Sequence, residues 1–235
     1  NRISDIEDRL KDYPYKQRLG NQTFYFVKGK LKALLGDRSN TKNILEENIK
    51  NKIYINEAGE RFALAYIYLM DNEFIKSQEQ IQWLFDNEQS NPMLSQLYIN
   101  YLIKTNKVTE AKKLYIQNLN FFPSNRSFIF GLADLYLRTQ ETEKALKLLK
   151  KNEQKFSQDP ILYNLYAKVY AKQGEKLLQY ENLAEAAYYS FNLQEAIMRM
   201  DLAIKANDGD FYEKSRVESR LKQFQREQQF HTRDK

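Results

Sequence analysis

The sequence predicts an all-α fold of antiparallel helix pairs, on three observations. Residue classes return every 34 positions between Ala58 and Gly174: Leu64, Tyr98, Leu132, Tyr166; Ala65, Ile99, Ala133, Ala167; Tyr68, Leu102, Tyr136, Tyr170; then Ser77, Ala111, Ala145 and Ile81, Tyr115, Leu149, Leu183 in a second helix. A small residue in the second column lets two helix backbones approach closely, and the large apolar residues beside it fill the space. A breaking pair follows each first helix, as Asp71-Asn72, Thr105-Asn106, Thr139-Gln140 and Gln173-Gly174. Pro92, Pro123 and Pro160 close the units, because proline at a first helical turn gives up a donor that has no partner there. A helix-turn-helix unit of this length marks tetratricopeptide repeats (TPR). The expected architecture is therefore a TPR α-solenoid wound as a right-handed superhelix.

Taken in order, residues 1–20 read as a linker and short helix, with Ile3, Ile6 and Leu10 at helical spacing and Ser4 and Glu7 placed as a capping box. Residues 21–57 read as a degenerate N-terminal helix pair: Thr23 precedes a run through Phe24, Tyr25, Phe26, Leu31, Leu34 and Leu35 to Gly36 as C-cap, and Ile44, Leu45, Ile49 and Ile53 mark its partner. Residues 58–207 carry the repeats, with helices expected over 60–70, 74–86, 93–104, 108–120, 127–138, 142–156 and 161–172. Trp83, the only tryptophan, is read as core. After Gly174 the small-residue column jumps from Ala145 to Ala196, one and a half repeats, with Phe191-Asn192-Leu193 in the place of a turn. The helix over about 175–190 should therefore serve twice, closing one unit and opening the next. A paired helix over 194–206 follows. Residues 208–224 read as a C-terminal capping helix, with Phe211, Val217, Leu221 and Phe224 partly buried, and 225–235 as a frayed tail.

Composition narrows the chemistry. The 37 Lys and Arg against 31 Asp and Glu give +6, but the signs alternate along the helices, as in Glu143-Lys144, so the charge reads as solvated helix face and no nucleic-acid partner is expected. With no cysteine, disulfides, thiolate metal sites and cysteine nucleophiles are excluded together. No apolar run approaches the ~20 residues of a membrane span. A hydrolytic metal site needs two or three imidazole or carboxylate ligands, and the single histidine, His231, lies in the tail. Glu46-Glu47 and Asp208-Asp210 read as a helix surface and a turn. No Gly-rich phosphate loop or nucleophile elbow occurs. No catalytic residue, cofactor or metal ligand is assigned.

What such repeats offer is a concave surface lined by the first helix of each pair. Its expected lining is Phe62, Tyr66 and Leu69; Gln96, Asn100 and Ile103; Phe130, Asp134 and Leu137; and Asn164, Lys168 and Ala171. Exposed aromatics with Asn and Gln suit an extended or helical peptide. The alternative is that the aromatics pack against an added helix. A carboxylate clamp for acidic C-terminal tails would need Lys and Asn where this pattern has Phe62/Tyr66 and Phe130/Asp134, so that mode is not expected.

The ends of the chain carry a resemblance. The opening Asn1-Arg2-Ile3-Ser4-Asp5, then Thr23-Phe24-Tyr25, Ala184 to Tyr189, Gln194-Glu195-Ala196-Ile197, Asp210-Phe211-Tyr212 and Arg216 to Leu221 resemble the C-terminal half of bacterial periplasmic zinc metallopeptidases of the β-barrel assembly-enhancing (BepA-like) family. The resemblance implies a periplasmic quality-control factor whose repeats engage the barrel-assembly machinery, immature outer-membrane barrel proteins or the parent's own protease domain. It also implies a missing HExxH peptidase domain ahead of Asn1 that would hold the zinc; no position here matches that motif, so this stretch is expected to be inert as an enzyme. Two other readings stand beside it: a free-standing TPR adaptor in secretion or pilus assembly, and a repeat protein associated with nucleic acid.

Overall fold

The computed structural model describes residues 21–88 and 91–233, with side chains through 230. The short helix expected within 1–20 and the His231 side chain lie outside the described residues. The chain forms two compact units, Asn1–Val108 and Thr109–Lys235. The first contains α1 (Gln22–Leu35), α2 (Arg38–Asn51), α3 (Glu57–Met70), α4 (Phe74–Asn87) and α5 (Pro92–Lys104). At the boundary α6 (Val108–Phe121) begins; α7 (Arg126–Arg138), α8 (Thr142–Asn152), α9 (Pro160–Gln173), α10 (Lys176–Tyr189), α11 (Leu193–Lys205) and α12 (Phe211–Arg233) complete the second. The described residues form helices and no strand, and none of these helices is long and apolar enough to cross a membrane.

Both ends of the repeating helices are set by local chemistry. An N-cap column that the apolar periodicity does not show begins every first helix: Asn21, Asn56, Asn91, Asn125 and Asp159 each accept a backbone N–H of the first turn through the side chain. Such a cap satisfies a donor that the helix itself leaves orphaned. Asn21 places α1 in the same register as the helices after it. At the other end, the second residue of each breaking pair is left-handed: φ is 62° at Asn72, 61° at Asn106, 62° at Gln140 and 81° at Gly174. The next N–H then donates to the carbonyl five residues back, from Glu73 to Tyr68, Lys107 to Leu102, Glu141 to Tyr136 and Glu175 to Tyr170, at 2.8–3.0 Å. This is the Schellman closure, and its acceptors are the third sequence column. Phe191 repeats the device at φ 61°, with Asn192 N–H on the Ala187 carbonyl at 2.9 Å. Between these two closures α10 packs against both α9 and α11.

Between paired helices the small residues are buried as the spacing requires. Ala65, Ala133 and Ala145 are inaccessible, as are Ala184 and Ala196 in the last pair. Ser77 stands in the same column, and its hydroxyl donates to the Ala65 carbonyl at 2.9 Å, so this polar group is satisfied inside the core.

In the first unit α1 lies on α3 through two glycines. A Cβ on Gly29 would collide with the Gly59 carbonyl oxygen, and one on Gly59 would lie 3.0 Å from Tyr25 Cβ. Phe26 stacks on Phe62 beside this crossing at 4.7 Å between ring centroids. Gly36 ends α1 in extended backbone, and glycine is needed there for space, since a Cβ would sit 2.6 Å from Thr41 Oγ1. Ile53 falls beyond α2 and is exposed. Trp83 is half-buried, with the Arg61 guanidinium 4.3 Å over its ring.

In the second unit α12 closes on α10 and α11. Two forked ion pairs one helical turn apart hold it: Arg216 on Glu181 at 2.7 and 2.7 Å, and Arg220 on Glu185 at 2.6 and 2.7 Å. Phe224 stacks on Tyr188 at 4.7 Å, and Val217 and Leu221 are buried with it. Asp208 caps α10 through the Leu177 N–H at 3.0 Å, while Asp210 and Glu213 form a reciprocal capping box at the start of α12. Both carboxylates of that turn thus have structural work.

Several boundaries differ from expectation. The helix over 211–224 continues to Arg233 in place of a frayed tail, because Gln225 to Gln229 are good helix formers and no breaker follows Phe224. Phe211, expected to be partly buried, is exposed, since it lies in the first turn, ahead of the buried stripe. The helix over 142–156 stops at Asn152 and tightens into a 3-10 turn at Gln154–Phe156. Pro92 and Pro160 open α5 and α9, whereas Pro123 lies in the turn before α7.

Replacing Ala133 by Leu should overpack the α7–α8 crossing and cost about 1–3 kcal/mol; a thermal melt equal to that of the parent would show that this column is not the contact. The opposite sign is expected for Phe191→Gly. The side chain is 99% exposed at φ 61°, so the substitution relieves left-handed strain without emptying the core, a gain of about 0.5–1 kcal/mol in the same melt.

Candidate functional site

In the second unit, three helices leave a cleft of ≈ 540 Å³ between them. Phe130 and Asp134 of α7, four apart, share a face; Ile161, Asn164, Lys168 and Ala171 follow one stripe of α9; Gln179 and Leu183 face them from α10. The floor is apolar, built from Phe130, Leu165 and Ala167, all nearly buried. Phe130 is fixed by the Phe156 ring at 5.1 Å and by the Arg126 guanidinium at 5.2 Å, and Arg126 is itself held by Asp159, the N-cap of α9.

One rim is an ion pair along the repeat. Lys168 Nζ donates to Asp134 Oδ1 at 2.8 Å across 34 residues, and Arg138 Nε donates to Oδ2 at 2.8 Å. Burial pushes the Asp134 carboxyl upward, but the hydrogen bond and charge of Lys168, joined by Arg138, outweigh it and hold the group below its ordinary value. The opposite wall marks a lapse in the small-residue rule. Counting 12 residues on from Ala167, as from Ala65 to Ser77 or from Ala133 to Ala145, reaches Gln179. A long amide stands where the other crossings have Ala or Ser, and both Ala167 and Gln179 line the cleft. The groups on offer are an apolar floor, two primary amides and an ion pair. They bind and orient.

The expected lining residues divide sharply. Phe130, Asp134, Asn164 and Lys168, with Ala171, come together in this cleft. Leu137 is core, 2% exposed, because it points into the contacts of α7 with α8 and α9. In the first unit two of the six expected positions are core. Phe62 is 2% exposed beneath Phe26, and Leu69 is buried as well. For Phe62 the added helix wins: α1 covers it. Tyr66 is half-buried, its hydroxyl pushed up by that burial, with Lys30 Nζ 5.7 Å over the ring. Gln96 and Asn100 are bonded to each other at 3.0 Å, and Ile103 is half-buried beside them on α5.

The first unit has a cleft elsewhere, which the periodicity did not suggest. It measures ≈ 590 Å³ between α1, α2 and the start of α3, with Lys28, Lys32 and Lys52 among its walls and Tyr25 and Tyr54 beside them. Lys32 is bound to Glu60 at 2.8 Å. Lys28 and Lys32, four apart in a segment free of acids, were the available signal for two of these lysines. Among the described residues no group of three His, Asp or Glu side chains is placed to hold a metal ion.

The chain matches no protein-family model and no curated protein.

The Asp134–Lys168 contact makes a direct prediction. The folded pKa of Asp134 is depressed, so the pair's contribution to stability is present above the unfolded carboxylate pKa and is lost as pH falls through the folded value. Carboxyl-detected NMR titration should find Asp134 below the usual aspartate range, and Lys168→Ala should move it upward. An unchanged titration in the variant would mean that Lys168 does not hold the carboxylate in solution.

Proposed function

We propose that this chain is a tetratricopeptide-repeat docking domain, and that the cleft between α7, α9 and α10 takes an extended peptide segment with an apolar anchor side chain. The observation that carries this is the convergence of Phe130, Asp134, Asn164 and Lys168 in one opening. Its volume falls within the range of about 300–1,000 Å³ typical of ligand clefts. An apolar side chain on the floor would gain burial, and Asn164 and Gln179 would pair backbone amides, which grips a strand without reading its full sequence. Extended segments with unpaired backbone edges are what incompletely assembled β-proteins expose.

The resemblance of the chain's ends extends this reading. On it, the domain is the docking arm of a larger periplasmic zinc metallopeptidase that acts on unfinished outer-membrane barrels, the catalytic zinc belonging to a separate peptidase domain. The docking reading does not depend on that parent, and a free-standing adaptor would use the same cleft.

The test blocks the cleft without touching the core. Ala171 is exposed on its rim, so Ala171→Trp should fill the opening while leaving the thermal midpoint unchanged. Binding of a fluorescent peptide copied from a transmembrane β-strand of an outer-membrane barrel should weaken at least tenfold, about 1.4 kcal/mol or more. A photoreactive side chain at Asn164 should crosslink to the same peptide. Undiminished binding by Ala171→Trp, or crosslinks only from the exposed face of α8, would place docking elsewhere.

A further inference from the structure

Helix α1 is apolar on opposite faces. One face, Phe26, Gly29 and Ala33, is buried on α3 and its neighbours. The other, a stripe of Phe24, Val27, Leu31 and Leu34, is 42–57% exposed. A helix apolar all round is ordinarily buried on every side. Lysines stand on both edges of the stripe, Lys28 and Lys32 on one and Lys30 on the other, and Gln22–Leu35 holds no acidic residue. Lys28 and Lys32 are also walls of the ≈ 590 Å³ cleft, whose α2 side carries Lys52. Next to Lys52 in the same lining, Ile53 and Ile55 are 67% and 84% exposed. The cleft is short of counter-charge. Glu60, the carboxylate among its described lining residues, is held by Lys32 at 2.8 Å and by Asn48 at 3.4 Å. Glu57, which the charge of Lys52 also reaches, is bonded to Tyr54 Oη at 2.6 Å and to Arg61 Nε at 2.8 Å. Lys28 and Lys52 are exposed and form no ion pair with a described residue.

We propose that this surface of the first unit docks on an anionic phospholipid bilayer, the α1 stripe and the two isoleucines entering the headgroup layer and the cleft receiving a headgroup phosphate between Lys28 and Lys52. Amphipathic helices of this kind lie in the plane of the interface, with the apolar face at the acyl boundary and the lysines reaching back to the phosphates. The chemistry selects this occupant. Phe24, Val27, Leu31 and Leu34 offer no hydrogen-bonding group with which to read a protein partner, whose interface would carry on the order of ten hydrogen bonds. A fluid apolar layer asks for none. Charge argues against a second copy: both edges of the stripe are basic, so α1 laid on α1 in a two-fold contact brings lysine against lysine. An anionic surface meets those same lysines with the opposite sign.

Because the chain has no cysteine, single Val27→Cys and Ile55→Cys variants can each carry one polarity-sensitive fluorophore. Both labels should shift to the blue on addition of vesicles of equal phosphatidylglycerol and phosphatidylcholine, and neither with phosphatidylcholine alone. A label on Ile75→Cys, exposed on α4 outside the stripe and the cleft, should not shift. In vesicle sedimentation, Lys28→Ala with Lys52→Ala should weaken binding roughly 25-fold, about fivefold for each lysine at an anionic surface. Leu31→Asp should remove it, with thermal midpoints little changed because all three side chains are exposed. Failure to bind the anionic vesicles, or binding that survives Leu31→Asp, overturns the proposal. So does an equal blue shift at Ile55→Cys with glycerol phosphate or poly-glutamate and no vesicles, which would assign the cleft to a free phosphate or an acidic protein. A lipid-free dimer abolished by Leu31→Asp would assign the stripe to a second copy, and overturns it as well.

Discussion

Two helix backbones can lie close together only where the side chains between them are small, and this one steric demand organises the chain. It is met at a fixed spacing of 12 residues, by Ala65 and Ser77, by Ala133 and Ala145, and by Ala184 and Ala196, all buried. Around each crossing the larger residues of the repeat fill what remains, at the density of a crystal rather than an oil. Ser77 shows how strict the demand is. A hydroxyl is tolerated there because it bonds the carbonyl of the residue it crosses, which removes the cost of burying it.

The same rule explains where the second unit opens. Gln179 is too long for the position facing Ala167, and its amide lines a cleft instead of completing a crossing. The helices still pack, because α10 meets α9 along its length and carries its own small residue, Ala184, onward to Ala196. One helix thus changes partners by half a repeat, and the space left at the change is the candidate site. In the Asp134–Lys168 pair at its rim the lysine is more than half exposed, so the pair's worth to folding is small. Its consequence is positional: it fixes a charged edge beside an apolar floor.

The ends of each unit use different chemistry. At α1 close approach through Gly29 and Gly59 leaves an apolar face turned outward. At α12 the closing helix is amphipathic, buries Val217, Leu221 and Phe224, and turns a polar surface to solvent. Its two Arg–Glu forks repeat with the helical turn, and Arg220 also covers the Tyr188 and Phe224 rings at 4.9 and 4.5 Å. Forked geometry with several partners is where an ion pair contributes most to holding one orientation.

The sequence by itself determined what is local or periodic. The 34-residue columns, the breaking pairs and the half-repeat at Phe191 place the helices to within a few residues, because apolar periodicity and turn chemistry act within a few residues along the chain. The Asn and Asp caps were equally visible and complete the same pattern. Of the candidate site, Phe130, Asp134, Asn164 and Lys168 were legible because they occupy equivalent positions on successive first helices. The tertiary structure decided exposure. Nothing in the repeat distinguishes Phe62 from Phe130, yet α1 stacks Phe26 on the first while a cleft opens beside the second. Register assigns a residue to a face of its helix, but whether that face is covered depends on which other helix packs there, and that is settled by contacts between segments distant in sequence.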